Sequence, residues 1–133
     1  MRITADTNVR VRSAVRDDVA PARLADATLR EATQITVALA SLCAFVRVRR
    51  RGYGIAVADI AAAVRALLAT DKVVVDLTAA EAGLAMLEAG GDFADGVIAH
   101  EGEKLGAEVF VSFDRSAVKR LGDQGRAARL LRG

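Results

Sequence analysis

Apolar residues along the chain fall into two kinds of run. Short β-branched clusters alternate with longer stretches at helical spacing, a pattern that predicts an α/β domain with a mostly parallel sheet. Arg2 to Ala5 is the first predicted strand and places Asp6 at its end; Thr7 to Val15 and Ala20 to Ala32 are the next two predicted helices. Pro21 suits the first turn of the second of these, where its missing N–H goes unneeded. Ile35 to Val37 is a further strand, and Ser41 to Arg51 a helix closed by Gly52 ahead of a Gly-Tyr-Gly turn. Asp59 to Ala69 repeats Ile60, Val64, Leu67 and Leu68 along one helical face, and Val73, Val74 and Val75 have the look of a buried strand. Ala79 to Ala89 is a helix ended by Gly90-Gly91; Phe93 to Leu105 follows, with Phe93, Val97 and Ile98 expected to face the core. Val109 to Val111 is the last clear strand, ending near Asp114, and Ser116 to Leu121 begins a closing helix. The Arg-rich stretch after Gly122 carries no clear element, and residues 1–133 are expected to form a single domain.

Composition narrows the class. Of the 133 residues, 53% are hydrophobic and only one is Pro, enough apolar side chain for a real core. No run approaches the roughly 18 to 20 apolar residues needed to span a membrane. Met1 to Asp6 meets an acid too early for a signal peptide, and a lone Cys43 suits a reducing compartment, so a soluble cytoplasmic protein is expected. Nineteen basic against seventeen acidic residues give +2, a balance that neither requires nor excludes a nucleic-acid partner.

The candidate chemistry is acidic. Asp6 and Asp114 each follow a predicted strand, and ligands of open parallel sheets gather beyond the carboxyl ends of strands. Asp92 and Asp95 sit three apart at a helix start, on neighbouring positions of one face. Clustered carboxylates repel, and a hard divalent cation relieves the repulsion; with a phosphate as substrate, phosphodiester hydrolysis is the chemistry such a site suits. Each acid also has an ordinary explanation. Asp92 fits an N-cap with Asp95 favoured by the helix dipole, and Asp6 and Asp114 are equally suited to capping the helices they precede.

Three segments together resemble the PIN-domain family. Ile3-Thr4-Ala5-Asp6-Thr7-Asn8-Val9 resembles its opening strand and first acid; Phe93-Ala94-Asp95-Gly96-Val97-Ile98-Ala99 resembles its Asp-Ala-Leu-Ile-Ala helix start; Val111-Ser112-Phe113-Asp114 resembles its late Thr-Phe-Asp segment. Order and separation agree across roughly residues 1 to 121, and within the family the pattern is most similar to VapC toxins of toxin–antitoxin pairs. The resemblance implies a PIN-like three-layer α/β/α sandwich with a central parallel sheet, an Mg2+- or Mn2+-dependent ribonuclease, a cognate VapB-like antitoxin, an RNA substrate and a homodimer. It implies Asp6, Asp95 and Asp114 as metal-linked catalytic acids, Asp92 as an accessory metal ligand, and Asn8 and Ser112 as polar groups supporting them.

One departure bears on activity. Where these toxins carry a glutamate on the helix after the second strand, Leu42-Cys43-Ala44-Phe45-Val46 has Ala44, and a methyl neither binds metal nor orients water. The resemblance therefore implies a weakened or inactive ribonuclease, or a non-catalytic module that binds its antitoxin or RNA. Arg10 and Arg47 also stand where the family is usually apolar.

The other candidates are simpler. Arg47, Arg49, Arg50 and Arg51 read either as a phosphate contact or as a solvated helix end, the second being favoured. His100 has no Ser or Cys partner and is expected to pack or face solvent, and Cys43 is expected in the core. A haloacid-dehalogenase-type phosphatase needs a second Asp two residues after the first, where Asn8 stands.

Overall fold

Short β-branched runs pair side by side, and each return crossover carries helix, as parallel pairing demands. The computed structural model describes residues 1–6 and 19–132. Strands β1 (Arg2–Thr4), β2 (Gln34–Thr36) and β3 (Val73–Val74) form one parallel sheet in the order β1-β2-β3, with Ile3 opposite Ile35 and Ile35 opposite Val73. Helix α1 (Val19–Glu31) lies in the first crossover; α2 (Leu39–Arg47), a π-helical turn (Val48–Gly52) and α3 (Val57–Leu68) fill the second. Helices α4 (Leu77–Glu88) and α5 (Phe93–Lys104) follow as a hairpin. Strand β4 (Phe110–Ser112), helix α6 (Arg115–Asp123) and strand β5 (Ala128–Leu130) close the chain, β4 and β5 pairing in parallel as a second sheet. The chain is thus mixed α/β with short parallel strands. No helix among the described residues is long and apolar enough to cross a membrane.

The core follows helical spacing. Leu42 and Val46 on α2, Ile60 and Val64 on α3, and Phe93 and Val97 on α5 are i, i+4 pairs that bury against Ile35 of β2 and Leu84 and Leu87 of α4. Each such side chain contributes about 1.5–3 kcal/mol by leaving water.

The α4–α5 hairpin is packed through glycine. A Cβ on Gly96 of α5 would fall 2.3 Å from the Ala82 carbonyl oxygen of α4, and one on Gly83 would enter the Phe93 ring. The connection between these helices is a Schellman turn: Gly90 takes φ +89, its N–H donates to Leu87 O, and the Gly91 N–H donates to Met86 O.

Three expectations change. Val74 is 48% exposed, because β3 is a two-residue edge strand with β2 on one side only. Ile98 is 55% exposed: Phe93 and Val97 share a face one turn apart, and the next position rotates away from it. The stretch after Gly122 contains a strand, with Ala128 and Leu130 half-buried and Arg129 exposed in strand alternation; its partner β4 is distant in sequence, so local reading had no access to it. The helix expected over Thr7 to Val15 lies outside the described residues.

Candidate functional site

The two helix starts that carry acids line one cleft. Asp92 is the N-cap of α5 and its Oδ1 accepts the Ala94 N–H at 3.0 Å; Asp95 occupies the first turn. Asp114 is the N-cap of α6, its Oδ1 accepting from Ser116 N at 2.9 Å and Ala117 N at 3.2 Å, while the Asp114 N–H donates to Ser112 Oγ at 3.0 Å. Ser112 thus holds the Asp114 backbone at the start of α6. Capping is therefore a real role of Asp92 and Asp114, and it occupies one carboxylate oxygen of each. Asp92, Asp95 and Asp114 together line a cleft of about 340 Å³.

Asp95 is where their charges meet. Burial pushes its carboxyl above the usual range, the Asp92 and Asp114 carboxylates push it further, and the Arg47 guanidinium opposes them. Cys43, half-buried and packed against the core rather than fully inside it, is raised first by burial and then by Asp92 and Glu101, with Arg47 opposing. These couplings fit the packing of α2 on α5. His100 is half-buried on α5.

Arginine supplies the positive part of the wall. Arg47, Arg50, Arg51 and Arg120 line the same cleft. The helical run expected to Arg51 leaves α-geometry at Arg47 and continues as a π-helical turn, closed by Tyr53 N–H to Val48 O at 3.2 Å. Its arginines have three different fates. The Arg49 guanidinium stacks on the Phe45 ring at 4.6 Å. Arg50 donates from Nη1 to Gly91 O at 2.5 Å and from Nη2 to Gly90 O at 3.3 Å. Arg51 and Arg47, among the described residues, make no side-chain hydrogen bond or ion pair. From the other side, Arg120 Nε of α6 donates to Ala89 O at 3.2 Å. The expected solvated helix end therefore describes only part of the run, since Arg50 serves the carbonyls of the turn that follows a different helix, α4.

Asp6 stands apart from this group. It follows the carboxyl end of β1, where the Ala5 N–H donates to Thr36 O at 3.1 Å, and it is exposed. It does not line the cleft and is not among the charges acting on Asp95. Asn8 and Arg10 lie outside the described residues. Ala44 is exposed on α2, one turn before Arg47. Arg120 was the contributor that pattern reading missed, and the bonds of Arg50 to the Gly90 and Gly91 carbonyls are a role beyond the phosphate contact or solvated helix end read for its cluster. Paired glycines after α4 signal a turn, and nothing in the sequence signals which side chains will reach its carbonyls.

Metal fit rests on the donor set. Among the described residues, no three His, Cys, Asp or Glu side chains stand close enough together to hold an ion directly. The three carboxylates offer only hard oxygen, and a cation that keeps most of its waters and touches one or two carboxylates suits such a spread arrangement. Burial raises the Asp95 carboxyl first and the Asp92 and Asp114 charges raise it further, and the second of these is what such a cation would relieve. No family model matches this chain, and the search of curated proteins found no match either.

Proposed function

We propose that this chain is a PIN-domain protein of the VapC kind, a divalent-metal-dependent endoribonuclease weakened by Ala44. The observation that carries the reading is the convergence of Asp92, Asp95 and Asp114 on one arginine-walled cleft. Acids and arginines side by side suit a phosphodiester: the acids take the cation, and the guanidinium forks of Arg47 and Arg51 take phosphate oxygens. Bound at the acids, Mg2+ or Mn2+ supplies a water of lowered pKa and offsets charge on the phosphate. Asp92 and Asp114 are held by their capping bonds and Asp95 by the first turn of α5. In this reading the two parallel sheets belong to one PIN-like α/β/α sandwich, Asp6 joins the acids when metal and RNA bind, and the partner is a VapB-like antitoxin acting on a homodimer in the cytoplasm.

The test is repair. Ala44→Glu should raise RNA cleavage in Mg2+ or Mn2+ by about 10²-fold or more, the scale of one positioned acid–base group, and Asp95→Asn added to it should abolish the gain. Absence of cleavage by both the native and repaired chains, over varied structured RNAs, counts against the nuclease reading.

A second reading is a binding module that does not cut, favoured by the exposed Ala44 methyl and by the place of Asp6 outside the cleft. Recovery of a small DNA-binding partner by a chain whose repaired form stays silent on RNA would select it.

A further inference from the structure

Two arginines from separate elements grip the turn between α4 and α5. Arg50, on the π-helical turn, reaches Gly91 O and Gly90 O with two nitrogens. Arg120, on α6, reaches Ala89 O through Nε. Ala89 O is the C-cap carbonyl of α4, and Gly90 O and Gly91 O belong to the turn just beyond it; oxygens at and just past a helix C-terminus lack intrahelical donors and sit at the negative end of the dipole, so guanidinium donors fit by bonding and by charge. The site is closely built: a Cβ on Gly91 would stand 2.6 Å from Met86 Sδ and 3.0 Å from Arg120 Cδ.

The residue after this turn is Asp92, and Asp95 follows in the first turn of α5. The helix that carries Arg120 begins at Asp114. Arg120 therefore links the helix of one acid to the turn that starts the helix of the other two. We propose that Arg50 and Arg120 are positioning residues that hold Asp92 and Asp95 opposite Asp114, while Arg47 and Arg51, which have no such duty, contact phosphate. This rests on the reading of the acids as a divalent-cation site.

Charge and position predict opposite signs, which makes the assignment testable. Removing a cation from the wall of an acid cluster strengthens cation binding if charge alone matters. Releasing the turn weakens it. Mn2+ alone is titrated into the full chain, followed by the EPR signal of the free ion, for the wild type and for Arg50→Met, Arg120→Met and Arg51→Met. The expected result is Mn2+ affinity lower by roughly 10- to 100-fold in the Arg50 and Arg120 variants, the usual effect of losing a group that orients ligands, and unchanged or higher in Arg51→Met. Equal or tighter Mn2+ binding in all three overturns the assignment. Should a Met variant fail to fold, Arg50→Lys or Arg120→Lys keeps the charge with a single compact donor group, and undiminished Mn2+ affinity in it overturns the assignment equally. If the wild type takes no Mn2+, the cation reading itself fails. The grip is then judged by amide hydrogen exchange at residues 92–96: faster exchange in Arg50→Met and Arg120→Met but not Arg51→Met upholds it, and unchanged exchange overturns it.

Discussion

Replacing Gly96 by Ala tests whether the hairpin that presents Asp92 and Asp95 depends on backbone contact. The new Cβ would stand 2.3 Å from Ala82 O, 2.9 Å from Ala82 C and 2.9 Å from Met86 Cβ. Two of these are backbone atoms, so no rotamer change relieves the overlap. An ordinary carbon–oxygen approach is about 3.3 Å or more, so α4 and α5 must separate by about 1 Å. A gap of that size forfeits a quarter to a half of the dispersion energy of each facing pair, in a region that includes the fully buried Phe93 and Met86. Overpacking of this kind costs about 1–3 kcal/mol, and a contact with rigid backbone belongs at the upper end. The better helix propensity of Ala returns at most about 1 kcal/mol. The expected net loss is about 2 kcal/mol, which for a chain of this length lowers Tm by roughly 6–10 °C. Thermal unfolding followed by far-UV circular dichroism measures it. The internal control is Gly102→Ala on the same helix, whose Cβ meets only Ala107 Cβ at 3.7 Å; it should leave Tm unchanged or raise it by a few degrees, about what helix propensity allows. Equal stability of Gly96→Ala and Gly102→Ala would refute the close-approach argument.

Two further outcomes follow from the acids. Asp95→Asn should stabilise the chain at neutral pH: a carboxyl raised in the folded state favours folding while protonated and loses that contribution as pH rises from the unfolded value near 3.8 through the folded one. The Tm advantage over wild type should therefore shrink as pH falls from neutral through the folded value and be gone below about 4, and an advantage that is constant with pH would contradict a carboxyl raised by burial and by the neighbouring Asp92 and Asp114 charges. At Asp114, Asn should keep the α6 cap while Ala loses both bonds that the carboxylate accepts, so Asp114→Ala should cost about 1 kcal/mol in urea unfolding and Asp114→Asn only a few tenths. Both should lower Mn2+ affinity, and an Asn variant as unstable as Ala would show that capping is not what holds the α6 start.

Much of this was legible along the chain because the signals are local. Periodicity placed α3, α4 and α5 to within two residues, since burial on one face repeats every turn or so. Gly90-Gly91 ends α4 as the pattern required, because a Schellman turn needs a residue that tolerates φ +89. Asp92 and Asp114 announced themselves as caps at helix starts, and they are caps. The same signals misplaced Ile98, because a hydrophobic residue at a helix position one step off the buried face cannot be told from its neighbour by type alone. They also missed β5, whose identity as a strand depends on hydrogen bonds to β4.

What the amino-acid order determined by itself is therefore the run of helices α3 to α5 and the presence of acids at element ends: both are settled within a few residues, by backbone geometry and side-chain size. Which acids share a cleft was decided only by tertiary packing. Asp92, Asp95 and Asp114 meet because α5 and α6 begin on the same side of the molecule, and Asp6, equally well placed at a strand end, lies outside that cleft. The grip of Arg50 and Arg120 on one turn spans 40 residues in one case and 31 in the other. Interactions across such distances are chosen by how close glycine allows helices to come and by which guanidinium groups then fall within reach of unbonded carbonyls, a matter of three-dimensional arrangement that no local pattern encodes.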